Sequence, residues 1–216
     1  MVRFCETRSE KPTKNALSAG VARIETNAAD DRSGGLGLLG DVYAAVNGPL
    51  TLRTRFRSTT ATDKAFFVGF SDLVSQNLTI DEILTNASNV LTPAASDYVG
   101  IYRDHDLSDT DLQDFWLPLW RGGSAGAHPT TDALGKYPYR KHSWEDEKFY
   151  DMEVEIGRTG YISLRVNGIQ LLDLADAIDP ERAIRPHVLV QNREAVISDI
   201  DIDYVCLEGV RGNIPA

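Results

Sequence analysis

The chain has 216 residues, 42% of them hydrophobic, which is enough for the core of one large β domain or of two small ones. Its formal net charge of -10 disfavours a nucleic-acid backbone or an anionic membrane surface as partner, because both need a positive patch. No apolar run approaches the roughly 18 residues that span a bilayer, and the start MVRFCETRSEKPTKN is too polar for a signal peptide, so the expectation is a protein made and assembled in a cytoplasm.

Residues 1–19 are charged and polar without periodicity and read as an extended N-terminal arm, followed by one domain over 20–210 and a C-terminal tail over 211–216. VARIET (21–26) reads as the first strand, and the glycines at 34, 35, 37 and 40 mark a loop or irregular crossing. DVYAAV (41–46) reads as a second short strand. From Leu50 to Ser58, Leu50, Leu52 and Phe56 alternate with Thr51, Arg53, Arg55 and Arg57, the pattern of a half-buried strand. In KAFFVGFSD both faces are apolar, which predicts a central strand covered on both sides. Thr79 and Glu82 have capping-box spacing, with Leu78 and Ile83 as hydrophobic staple, so a short helix starts near Ile80. YVGIYR resumes β character, and Pro118 confines FWLPLWR to an edge or a bulge. Residues 122–148 form a long loop.

Tyr150 to Asp173 carries the clearest signal. Tyr150, Met152, Val154 and Ile156 alternate with Asp151, Glu153 and Glu155. A glycine-bracketed turn leads into YISLRV, and Asn167-Gly168 suits a type I′ hairpin into a third strand at Ile169. DLADAIDPERA offers a helical turn or an Ω-like loop and HVLVQN a strand. Residues 196–207 form the longest strand, with Val196, Ile200, Ile202, Tyr204 and Cys206 on one face and Asp199, Asp201 and Asp203 on the other. About ten strands with one short helix argue for an all-β fold, a two-sheet antiparallel jelly-roll sandwich, with a closed barrel as the alternative.

The order of LTLRTRFRS, AFFVGFSD, YVGIYRD, YDMEVEIGRTGYISLRVNGIQL and PHVLVQNREAVISDIDIDYVCLEG resembles a concanavalin A-like (laminin G-like) jelly roll over residues 21–209. The same order, with its closing V-x-N-R and D-x-D-Y run, is similar to jelly-roll domains of tailed-bacteriophage virion proteins, including capsid decoration proteins and head or tail fibres. That resemblance implies a non-enzymatic subunit of the virion, assembled in the bacterial host cytoplasm. It would bind the major capsid protein or other virion proteins, as a symmetric homo-oligomer such as a trimer, with no nucleic-acid or membrane partner. The alternatives are a lectin-like carbohydrate-binding module for host or mucus glycans and, more remotely, a glycoside hydrolase.

Four side-chain groups bear on that choice. Asp151, Glu153 and Glu155 project from one sheet face, where jelly-roll glycosidases carry Glu, Asp and Glu in that order; the first position here is Asp, and a solvated face accounts for the row without catalysis. Asp199, Asp201 and Asp203 form a second row, and Arg53, Arg55 and Arg57 a third of opposite sign. If the fold pairs their strands, the rows face one another as cross-strand ion pairs that fix register, with a polar ligand site or subunit contact as alternatives. Asp104, Asp106, Asp109 and Asp111 offer oxygens to calcium, the one cofactor the chain suggests, although the spacing is not that of an EF-hand. Trp116, Trp120, Tyr137 and Trp144, with Tyr139 nearby, are aromatic platforms for sugar faces, or else core. The four histidines have no ligand spacing, and Cys5 and Cys206 meet only if the chain ends are neighbouring strands.

Overall fold

The computed structural model describes residues 2–4, 21–26, 33–37, 43–60, 62–73, 78–87, 90–107, 110–128, 142–195 and 197–209, with backbone alone at 2–4, 37, 87, 110 and 111. Two antiparallel sheets face each other, as the jelly-roll expectation requires, and both keep open edges, which excludes the closed barrel. The seven-stranded sheet runs β1 (Val2–Phe4), β14 (Asp199–Gly209), β4 (Leu50–Arg57), β10 (Tyr150–Ile156), β11 (Ile162–Val166) and β12 (Ile169–Leu174), with β2 (Ala22–Glu25) also paired to β14. The five-stranded sheet runs β3 (Ser33–Gly37), β13 (Arg185–Asn192), β5 (Lys64–Ser71), β8 (Tyr98–Asp104) and β9 (Leu117–Arg121).

The alternating strands obey their sequence. In β4 and β10 every second residue is buried, and the pair is in register from Tyr150 opposite Phe56 to Ile156 opposite Leu50. Asn167 and Gly168 take φ of 51° and 74°, the left-handed pair that a type I′ turn demands. The Asn167 side-chain oxygen accepts from the Asp151 N–H at 2.9 Å, tying the hairpin to β10. Strand β9, with Pro118, lies at a sheet edge, where the missing N–H costs no ladder bond.

Every residue of β5 is buried, because it has an apolar layer on each side. Phe66, Val68 and Phe70 join the core between the sheets, and Phe67 joins a second core with Tyr102, Leu117, Leu119 and Leu189 on the outer face of the five-stranded sheet. That second core is closed by α1 (Ile80–Ile83) and the hairpin of β6 (Leu84–Ala87) and β7 (Val90–Pro93). Helix α1 starts where its capping box places it: the Thr79 hydroxyl accepts from the Glu82 N–H, and the Glu82 carboxylate accepts from the Thr79 N–H. Arg193 ties this cover to the sheet, reaching Asp81 at 2.9 Å and Asp104 at 2.8 Å. A further single turn, α2 (Thr110–Gln113), lies in the acidic segment, and its buried Leu112 joins the second core. At one end of the sandwich, buried Lys64 of β5 reaches across to Asp199 of β14 at 2.9 Å and to the Ser58 hydroxyl at 3.0 Å, an ion pair that joins the two sheets.

Several expectations need correction. The glycine-rich residues 33–37 are a strand, β3, paired with β13, and not a loop. A Cβ at Gly35 would lie 2.4 Å from the Val188 carbonyl, so only glycine lets the two backbones meet there. Residues 43–47 are not a strand: Tyr43 makes an isolated bridge to Ile184 and Ala45–Asn47 form a 3-10 turn. Residues Val2–Phe4, expected within an extended arm, add an edge strand to β14, with Phe4 opposite Leu207. Cys5, most of the arm and the tail lie outside the described residues.

The regular alternation expected along the last strand fails at Asp203. Ile202 pairs with Phe56, and the next paired residue is Tyr204 opposite Arg55, so Asp203 is the extra residue of a β-bulge. Beyond it the parity reverses. Leu207 is buried and Val205 packs on the core, whereas Tyr204 turns outward.

A Cβ at Gly69 on β5 would lie 2.1 Å from the Val99 carbonyl and 2.6 Å from the Gly100 Cα. Gly69→Ala is therefore expected to cost about 1–3 kcal/mol in chemical denaturation, with the exposed Val46→Ala showing no comparable loss.

Candidate functional site

The tryptophans expected to stack on sugars are structural. Trp116 and Trp120 are 0% and 1% exposed, inside the core between the sheets. Trp144 is half-buried and its ring is already engaged: Phe66 stacks on it at 5.1 Å and Tyr150 at 4.9 Å, with interplanar angles of 17° and 19°, and the Arg103 guanidinium carbon lies over it at 5.3 Å. A ring packed by three side chains is a poor platform for a sugar. Tyr137 and Tyr139 lie outside the described residues.

The expected calcium loop is also corrected in part. Asp104 is fully buried, and its oxygens accept from Tyr102 at 2.5 Å, from Arg193 at 2.8 Å, from Asn86 at 3.2 Å and from the Asp106 N–H at 3.0 Å. Those donors saturate the carboxylate, leaving it to anchor the cover and not a metal. Burial, and then the nearby Asp104 charge, push the Asp106 carboxyl up. Asp109 and the side chain of Asp111 lie outside the described residues, and among the described residues no group of three or more His, Cys, Asp or Glu could hold a metal ion.

What remains is the outer face of the seven-stranded sheet, where the arginine row meets Asp201 and Asp203 of the closing strand, as expected if those strands pair, and meets the Asp151 row on its other side. Arg53, Arg55 and Arg57 on β4 form a central spine, flanked by Asp151, Glu153 and Glu155 on β10 and by Asp201 and Asp203 on β14. Arg53 reaches Glu153 at 2.6 Å, Arg55 reaches Asp203 at 3.1 Å, and Arg57 reaches Asp201 at 3.1 Å. Two further arginines extend the grid on the outside. Arg23 of β2 grips Asp201 through two bonds of 2.6 and 2.9 Å, and Arg165 of β11 pairs with Glu153. These outer partners were not read from the sequence, because each is a lone arginine in its own strand.

Two aromatic rings lie among these charges. Phe149 packs under Arg55 and Arg57, with the guanidinium carbons 4.7 and 5.0 Å from its centroid. Tyr204, turned outward by the Asp203 bulge, donates its hydroxyl to Asp151 at 3.2 Å. Burial alone would raise the Asp201 carboxyl, but hydrogen bonds from Arg23 and Arg57 outweigh it and hold the group below the ordinary carboxylate range. Glu153, between Arg53 and Arg165, is depressed for the same reason. Both carboxyls are therefore fixed as anions, poorly suited to deliver a proton but well placed to accept hydrogen bonds.

No family model matches the sequence, and no curated protein matches it. Solved structures do share the architecture. The carbohydrate recognition domain of Emp46p in its potassium-bound form aligns with TM-score 0.56 and 11% identity over 86% of this chain and 82% of that one. The Emp47p carbohydrate recognition domain aligns with TM-score 0.57 and 14% identity over 96% and 89%. The alginate lyase Aly36B aligns with TM-score 0.56 and 14% identity over 90% and 83%. At such identities the likeness is one of fold: the chain is a concanavalin A-like sandwich, shared by binding domains and by an enzyme.

A carboxyl whose folded pKa lies below its unfolded value of about 4 contributes stability above that value and loses it as pH falls through the folded pKa. Stability is expected to hold from neutral pH to about 5 and to fall steeply below about 4, and Asp201→Asn should flatten that acid limb in urea denaturation series. Trp116→Ala is expected to cost about 3–5 kcal/mol of stability, as befits a core residue, which thermal unfolding would register.

Proposed function

We propose that this chain is a non-catalytic, lectin-like module that binds glycans on the open face of its seven-stranded sheet. One observation carries the reading. The outer face of the five-stranded sheet is sealed beneath a second core, whereas that of the seven-stranded sheet is open and presents rigid arginine-carboxylate pairs with Tyr204 among them. Sugar hydroxyls are recognised by such fixed planar donors and acceptors, and sugar faces by adjacent aromatic rings. The fold shared with the Emp46p and Emp47p carbohydrate recognition domains supports the reading.

The glycoside hydrolase alternative needs one carboxyl free to carry a proton. The middle residue of the acidic row, Glu153, is instead held as an anion by two arginines, which favours binding over hydrolysis. The virion setting that the strand order resembles belongs to the same proposal: a decoration or fibre subunit with this face would present it outward, to host or mucus glycans.

A glycan array probed with the full chain is expected to give specific binding that Arg55→Ala combined with Asp203→Ala abolishes, while the circular dichroism spectrum is unchanged. Incubation of the bound glycan with the protein should release no shortened product. Binding that survives the double substitution would remove the site from this face, and product release would make the chain an enzyme.

A further inference from the structure

The open face has a charge pattern that selects among glycans, and this inference rests on the glycan-binding reading above. Among the described residues, the arginines at 23, 53, 55, 57 and 165 all stand within 4.0 Å of a carboxylate. None of these five guanidiniums is left over to receive an acidic sugar. The carboxylates that answer them, Asp151, Glu153, Glu155, Asp201, Asp203 and Glu208, with Glu25 and Asp199 also beside Arg23, outnumber the arginines. The surplus is negative, as is the chain as a whole at -10.

The surplus is concentrated around Arg55. Its two carboxylate partners are open to solvent, with side chains 55% exposed at Asp151 and 34% at Asp203, whereas the equivalent Asp201 beside Arg57 is 1% exposed. The pairing is also loose here. Arg55 makes one bond to Asp203 at 3.1 Å, stands 4.0 Å from Asp151, and its Nε finds no hydrogen-bond partner. The acidic oxygens it leaves unused adjoin Tyr204, the one exposed aromatic ring on the grid among the described residues, at 38%. An alkylammonium group fits both features: it donates charge-assisted hydrogen bonds to carboxylates, and it is attracted to the face of an aromatic ring.

We infer that the cluster of Arg55, Asp151, Asp203 and Tyr204 takes amino sugars with a free amine, so that the ligand class is a cationic glycan and acidic glycans are turned away. The bulge at Asp203 makes this arrangement, because it adds a carboxylate beside Arg55 and turns Tyr204 to the same face. A uronate polymer would bring like charge to the surplus, and the five arginines of the grid are already paired.

Isothermal titration of the full chain with three tetrasaccharides separates the outcomes: glucosamine, N-acetylglucosamine on the same backbone, and mannuronate. The glucosamine form is expected to bind about tenfold more tightly than its N-acetylated counterpart at low salt, with the advantage shrinking as salt rises. Mannuronate should not bind. Asp151→Asn with Asp203→Asn should reduce the glucosamine affinity to the N-acetyl level, while Asp173→Asn, an exposed carboxylate elsewhere on the sheet, leaves it unchanged; equal unfolding midpoints would confirm that each variant is folded. Equal affinity for the amine and N-acetyl forms, or tightest binding of mannuronate, would overturn the charge selection and leave the glycan reading standing. Failure of all three to bind, together with a blank glycan array, would overturn both.

Discussion

The structure depends on one strand that cannot touch water on either side. All eight residues of β5 are buried, so the sheet that contains it needs an apolar layer above and below. One layer is the seven-stranded sheet; the other is the cover of α1, β6 and β7. Gly69 and Gly100 allow the Phe67 ring to lie close against the backbone under that cover, and Arg193 holds the cover down through Asp81 and Asp104. Because the five-stranded sheet spends both faces on packing, function on a sheet surface is left to the other sheet.

On that other sheet the charges do more for geometry than for stability. An exposed ion pair contributes at most about 1 kcal/mol, and two of these arginines are exposed over two fifths of their side chains, Arg53 at 44% and Arg55 at 42%. A slip of one residue, however, would turn a whole row of arginines or carboxylates toward Leu52, Phe56 and Val154, which no sandwich core accommodates. The rows therefore fix the pairing of β14, β4 and β10. Asp201, nearly buried and gripped by two arginines, is the one member that loss of its partners would leave as an uncompensated charge at depth.

What the sequence made legible were the features whose physical cause lies within a few residues. The alternation of β4 and β10, the Asn167-Gly168 turn and the Thr79 capping box are local patterns, and the structure reproduces each. What it hid depends on distant partners. Strand β3 looks like a loop because its glycines answer to the backbone of β13, and Gly35 faces Leu189 across the sheet. Asp104 looks like a calcium ligand until Arg193, 89 residues further on, is placed against it. Trp116 and Trp120 have the composition of a sugar platform, and only the position of the second sheet shows that they are core. The Asp203 bulge is hidden for another reason: one extra residue leaves plausible alternation on each side, so nothing marks the reversal of parity that turns Tyr204 outward.

The same charged grid that keeps an open sheet face wet also limits what a single ligand can gain from it. Hydroxyl groups that bind there displace water from carboxylates and guanidiniums already satisfied by one another, so the net gain per hydrogen bond is small, on the order of 1 kcal/mol. Apolar burial adds little on a face where, among the described residues, Tyr204 is the one exposed aromatic ring. A module of this kind gains affinity by repetition, since linking copies converts later contacts into intramolecular events and raises avidity by about 100-fold or more without any new contact. Display of many copies on a particle would supply that repetition, and it is here that the glycan-binding reading and the virion setting converge.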